Sequence, residues 1–142
     1  MKYIFDSWKK SVVGSAPRIT AHDEEWIYPV SAVSELPTDL WTKIATYTLE
    51  DVILLKDSLV FVENGIVLAA VLLGESEESL LVLDLYVGDR NKADLCVKLL
   101  RFSLEELDRL FPGSYQYISY VGDKQKEVLF ENLMQGAALA GR

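Results

Sequence analysis

The sequence is poor in cysteine, histidine and cations, and each shortage excludes something. Its single cysteine, Cys96, has no second thiol in the chain to bridge to, which fits a reducing compartment. One histidine, His22, far from that cysteine, does not make a zinc-ligand pattern, and no metal site is expected. Apolar runs such as Ile66 to Leu73 fall far short of the ~20 residues a membrane-spanning helix needs. Lys and Arg number 14 against 22 Asp and Glu, a formal net charge of -8. Binding along a nucleic-acid backbone depends on Lys and Arg displacing counterions, so no nucleic-acid partner is expected. The acidic balance suits solubility, or a basic partner such as an amine or a basic protein. The opening Met1 to Asp6 reaches an acid before any apolar core develops, which does not read as a signal peptide; a cytoplasmic location is expected.

What is present is a globular composition, 50% hydrophobic and 25% charged over 142 residues, without internal repeats or low-complexity tracts. A single domain over residues 1–142 is expected, with an N-terminal strand and helical segments in 1–57 and the core of the fold in 58–136. Tyr3 to Phe5 suits a short strand, and Asp6 to Ser11 a capped turn or short helix. Gly14 to Pro17 breaks regularity. Leu36-Pro37-Thr38-Asp39 reads as a helix start, followed by Leu40, Ile44 and Tyr47 or Thr48 at helical spacing. Asp51 to Lys56 fits either a strand or a helix end. Ser58 to Glu63 is rich in β-formers, Asn64-Gly65 is a tight-hairpin pair, and Ile66 to Gly74 runs back. A polar connection, Glu75 to Ser79, leads to a third strand, Ser79 to Val87. From Lys92 to Leu110 the pattern is helical, with Cys96, Leu99, Leu100, Ser103, Leu107 and Leu110 on one face and Lys98, Arg101, Glu105 and Asp108 toward water. Phe111-Pro112-Gly113 stops it. Tyr115 to Val121 is a further strand, and Lys124 to Met134 a last helix.

The segment Leu85-Tyr86-Val87, a polar loop, then Leu99 to Leu107 on a long helix resembles the centre of the GNAT superfamily of N-acetyltransferases. The resemblance covers roughly Val60 to Gly136, by topology more than by motif. It implies a mixed, mostly antiparallel α/β (α+β) sheet with helices on both faces, splayed between the third strand and the Tyr115 strand to make a cofactor cleft. In the family the N-terminus of the long helix receives the pyrophosphate of acetyl-coenzyme A, because free N–H groups and the helix dipole stabilise an anion there. The cofactor-binding positions would be Val87, Arg90, Asn91, Lys92, Ala93, Asp94, Leu95 and Cys96. The start Ile4-Phe5-Asp6-Ser7-Trp8-Lys9-Lys10-Ser11 is similar to that of bacteriophage-encoded GNAT proteins; Trp8 otherwise reads as a packing residue beside a cap.

Three departures from the family pattern matter. Its loop has the form Arg/Gln-x-x-Gly-x-Gly/Ala. Anchored on the helix, the matching positions are Asn91, Asp94 and Cys96, with Lys92, Ala93 and Leu95 between. Asn91 lacks a cation, and Asp94 puts bulk and negative charge where backbone would approach the diphosphate. At ~4 Å, like charges repel by about 4 kcal/mol at an effective dielectric near 20, on the order of a thousandfold in affinity. A shifted register restores a cation with Arg90 but sets Ala93 and the bulky Leu95 at the glycine positions. Second, Phe130 in Phe130-Glu131-Asn132-Leu133 stands where many members carry a tyrosine that protonates the leaving thiolate, and phenylalanine has no proton to give. Third, the family usually finishes with two more strands. Ala137 to Arg142 can make one short strand, so a partner chain is expected to supply the missing wall.

If the chain is an enzyme, Asp84 is the candidate base and Tyr120, with Tyr117 beside it, the substitute acid. His22 among Asp23, Glu24 and Glu25 suits a general base or a solvated loop, and Cys96 at a helix start is a candidate nucleophile. The expected function is a degenerate GNAT-like protein, phage-derived, acting by protein binding or virion assembly without catalysis or cofactor, in host cytoplasm or virion. The alternative is an acetyl-coenzyme A-dependent N-acyltransferase acting on an amine.

Overall fold

The computed structural model describes residues 2–15, 17–50, 52, 54, 56–89, 91, 93–133 and 139. Its frame is a six-stranded sheet: β1 (Lys2–Ile4), β2 (Ile27–Pro29), β3 (Leu59–Glu63), β4 (Ile66–Ser76), β5 (Ser79–Val87) and β6 (Tyr117–Tyr120). The spatial order is β1-β6-β5-β4-β3-β2. Every neighbouring pair is antiparallel except β5 and β6, which run parallel. Four helices complete it: α1 (Phe5–Ser15), α2 (Thr38–Leu49), α3 (Ala93–Leu110) and α4 (Glu127–Leu133). The mixed, mostly antiparallel α+β class read from the sequence is the class found.

Strand alternation sends side chains to two cores. Val71, Leu73, Leu80, Val82, Leu85 and Ile118 pack beneath α1, α3 and α4. Val60, Ala70, Leu72 and Leu83 face the other way, toward Leu40 of α2. The first core is centred on an aromatic stack: Phe130 lies 5.7 Å from the Trp8 ring and 5.1 Å from the Tyr120 ring, near-parallel to both. Trp8 is fully enclosed, and its indole N–H has no hydrogen-bond partner among the described residues. Its packing reading holds.

The β3–β4 turn uses Asn64 and Gly65 at φ 53° and 75°, the left-handed values a tight hairpin requires. The Glu75 to Ser79 connection is shorter than the sequence suggests. β4 continues through Ser76 and β5 starts at Ser79, leaving a two-residue turn with Glu77 at φ 52°. The N-terminal strand ends at Ile4, not Phe5, and α1 is a full helix that runs past Gly14 to Ser15. On α3, Cys96, Leu99, Leu100, Ser103 and Leu107 are buried as their spacing implies. Two positions differ. Leu110 lies exposed at the helix end, and Arg101 is buried, its Nε donating to Glu105 Oε1 at 2.9 Å. A guanidinium one turn from its carboxylate can be enclosed because the pair and the long apolar stem satisfy it together.

β1 pairs antiparallel with β6, and Tyr3 forms a further bridge to Leu139. Parts of three expected segments, at 51–56 and beyond 133, lie outside the described residues; within them, Leu54 bridges Gly74.

Candidate functional site

β5 and β6 run side by side from Ser79–Tyr117 to Val82–Tyr120 and then part. The parting coincides with a bulge. Leu72 pairs with Asp84 and Leu73 with Val82, so Leu83 is an additional residue on β5. An unpaired residue bends its strand and re-aims the side chains around it. Here it turns Asp84 into the gap opened by β6.

The gap is lined by side chains of α2, of β5 and of the approach to α4. The Asp84 carboxylate is 2% exposed and accepts from Lys126 Nζ at 3.2 and 3.5 Å. Lys43 of α2 pairs with Asp123, on the connection between β6 and α4. That hydrogen bond holds the Asp123 carboxyl below the usual carboxylate range and raises the Lys43 ammonium above its own. Tyr47 Oη, also on α2, donates to the Leu83 carbonyl at 2.9 Å. Gly122 fits only because it lacks a side chain: a Cβ there would lie 2.7 Å from Tyr120 Oη and 2.9 Å from the Leu83 carbonyl oxygen. A surface cavity of about 340 Å³ remains, walled chiefly by Asp39, Lys43, Asp84, Asp123 and Lys126.

The two candidate catalytic residues are thus brought to one place. Tyr120 stacks on Phe130 and its hydroxyl donates to the Asp123 carbonyl at 2.7 Å. Burial, then the Asp84 charge, pushes its pKa well up. Both candidates are already engaged, Asp84 by an ammonium and Tyr120 by a carbonyl. Tyr117 lies on the opposite side of β6, under the Lys2 ammonium at 4.0 Å. Phe130 is a core residue.

The loop before α3 lies at the other end of the gap. Val87 is half-buried against the core, and Gly88 N–H donates to the Leu68 carbonyl at 2.8 Å. Asn91 N–H is taken by Asp89 Oδ1 at 3.0 Å. Ala93 is half-buried, Asp94 exposed, and Leu95 and Cys96 buried. Arg90 and Lys92 lie outside the described residues. Cys96 does not have the low pKa of a nucleophile. Its Sγ is 3.5 Å from the Ala70 carbonyl and 3.4 Å from that of Tyr86, and burial first, then Asp84, pushes the thiol up to about 12.

Beside this helix start is a pocket of about 210 Å³ whose lining includes three carboxylates, Asp23, Glu63 and Asp94, with Trp26, Phe61 and Leu95. Asp23 is held below the ordinary carboxylate range by the Thr20 N–H at 3.1 Å and the Thr20 hydroxyl at 2.9 Å, with Lys98 adding a smaller attraction. Carboxylates beside a helix N-terminus already use the favourable potential that a diphosphate would need. Among the described residues, no cluster of three or more His, Cys, Asp or Glu is placed to hold a metal ion. His22 stacks edge-on against Trp26 at the surface, 4.0 Å from Glu25.

No protein-family model matches this sequence, and no curated protein matches it either.

Spacing on the helix and strands locates Asp84, Tyr120 and Asp94. Lys43, Asp123 and Lys126 could not be found that way, because Lys43 and Asp123 meet across 80 residues of chain. Asp23 and Glu63 reach the α3 pocket from two other elements.

Proposed function

We propose that the chain is a GNAT-like protein that works without catalysis, by binding another protein or assembling into a larger particle, as phage-encoded members of such a branch would. One observation carries this reading: Asp23, Glu63 and Asp94 line the pocket at the α3 start, where the family would seat the diphosphate of acetyl-coenzyme A. The gap between β5 and β6 supports it, since its charged side chains are already tied up in the Lys126–Asp84 and Lys43–Asp123 pairs.

Calorimetric titration of acetyl-coenzyme A into the full chain tests the reading. Absent or millimolar binding is expected, and micromolar binding would overturn it. Light scattering or cross-linking should in turn show self-association or a retained partner; a strictly monomeric protein with no partner counts against it. The alternative, an N-acyltransferase, draws on the bulge that turns Asp84 into the gap near Tyr120. Under that reading Asp84→Asn abolishes acetyl transfer to an amine, and transfer by the unaltered chain is the result that would favour it.

A further inference from the structure

Alternation along β4 carries Val71 and Leu73 into the core beneath α3, and Glu75 is the next residue on that face. It emerges at the Ser79 end of β5, the end opposite the gap. Asp57 reaches the same place from the connection before β3, where its carbonyl accepts from the buried Ser103 hydroxyl of α3 at 3.1 Å. Phe111 and Tyr115 arrive from the segment after α3. With Leu107 and Ser114 these four residues line a cavity of about 260 Å³.

Two of the four are carboxylates, two are aromatic, and no Lys or Arg shares the lining. Among the described residues, neither Asp57 nor Glu75 has an ion-pair partner. Glu75 accepts from the Tyr115 hydroxyl at 2.7 Å, a bond that leaves its charge in place. Arg109 is held by Glu106 at 2.7 Å, and Lys56 is exposed. Burial, then the Glu106 charge, raises the Asp57 carboxyl above the ordinary carboxylate range, the direction expected of an acid with no cation beside it. The cavity also lies at the C-terminal end of an 18-residue helix, whose free carbonyls favour positive charge.

The chemistry of the lining selects among ligands. An anion would meet charge of its own sign. A calcium or magnesium ion takes a shell of oxygen ligands, which two carboxylates beside a leucine and two rings do not supply. An organic cation uses every wall: carboxylates for its charge, ring faces for cation–π attraction and apolar surface for its stem. Phe111, 55% exposed, has ring surface to offer, while Tyr115 is set by packing on Phe5 at 5.9 Å.

We propose that this cavity binds an alkylammonium group, with its charged head at Asp57 and Glu75 and its aliphatic stem along Leu107 and Phe111. A free small amine and a lysine side chain share that chemistry. The site lies apart from the gap and does not depend on the protein-binding reading.

Titration of the isotope-labelled full chain with n-butylammonium chloride, followed by amide NMR, tests the proposal. Saturable shifts are expected at Asp57, Glu75, Phe111, Ser114 and Tyr115, and not at Lys43 or Asp123. Asp57→Asn and Glu75→Gln should each weaken binding about tenfold, and Phe111→Ala about threefold. The spectrum of each free variant shows directly that it is folded. Butanol, the same stem without the charge, should give no saturable shift. Nα-acetyl-lysine amide distinguishes the two sources: binding at least as tight as that of butylammonium supports a lysine side chain, and weaker binding supports a free amine. No saturable shift with either amine overturns the proposal. Equal binding of butanol overturns it, since the cavity would then be merely apolar. So does unchanged affinity in folded Asp57→Asn and Glu75→Gln variants, and so does displacement of the amine by calcium, which would make this a metal site.

Discussion

Removing one member of the Lys126–Asp84 pair strands the other beside the β5 bulge. Lys126→Met leaves a nearly inaccessible carboxylate without its cation, and should lower unfolding free energy by about 1–3 kcal/mol. Adding Asp84→Asn should return much of that loss, because the second change removes the stranded charge. Urea denaturation of the two variants checks both signs, and a further loss in the double variant would mean that the pair is not the cause. Cys96 gives a pH prediction. Its pKa in the fold, about 12, lies above its ordinary value of 9.0, so the thiol form is the one the fold favours. The corresponding stability is fully present below about pH 9 and is lost as pH rises toward 12. Cys96→Ser should therefore flatten the decline of the urea midpoint over that range, and a thiol reagent should leave the folded protein unmodified at neutral pH. At this scale the sequence was legible where periodicity decides burial, as for Leu99, Leu100 and Trp8. It was not legible for Arg101, whose burial depends on Glu105 one turn on, or for Asp84, whose orientation depends on a bulge that alternation cannot register.

Among the elements, β1 has the most to lose. It is three residues long, yet it covers the outer edge of β6 and anchors the bridge to Leu139. A chain lacking residues 2–4 should present the β6 N–H and C=O groups to other molecules and self-associate. Light scattering at matched concentrations reads this directly, and a particle size unchanged from the full chain would show that Tyr117–Tyr120 is protected by something else. The long elements, β4, β5 and α3, were legible almost to the residue, because each has many apolar positions at one period. The Glu77-Glu78 turn was not, since glutamate at positive φ carries none of the signal that Asn64-Gly65 does. The edge chosen by β1 was equally hidden: three residues of alternating character do not say which of two sheet edges they will join.

For the whole molecule, the net charge of -8 sets a background of self-repulsion in the compact state. Raising salt from about 20 mM to about 200 mM shortens the screening length severalfold and should raise the melting temperature by roughly 1–3 °C. A fall instead would mean that the ion pairs Lys9–Asp108, Lys43–Asp123 and Lys126–Asp84 outweigh the repulsion. The sheet class and the helices on both faces could be read in advance from the order of strands and helices and the family layout that order resembles. The contents of the gap could not, because they join α2, β5 and the approach to α4 across distant parts of the chain. The same long reach governs how the molecule is made. Lys2–Ile4 pairs with residues more than a hundred positions later. A ribosome therefore exposes Phe5 and Trp8 long before it has synthesised Tyr115 and Phe130, the rings they pack against. Pairings this distant in sequence close late. Until synthesis has passed Phe130, the nascent chain lacks the ring that stacks on its Trp8 indole.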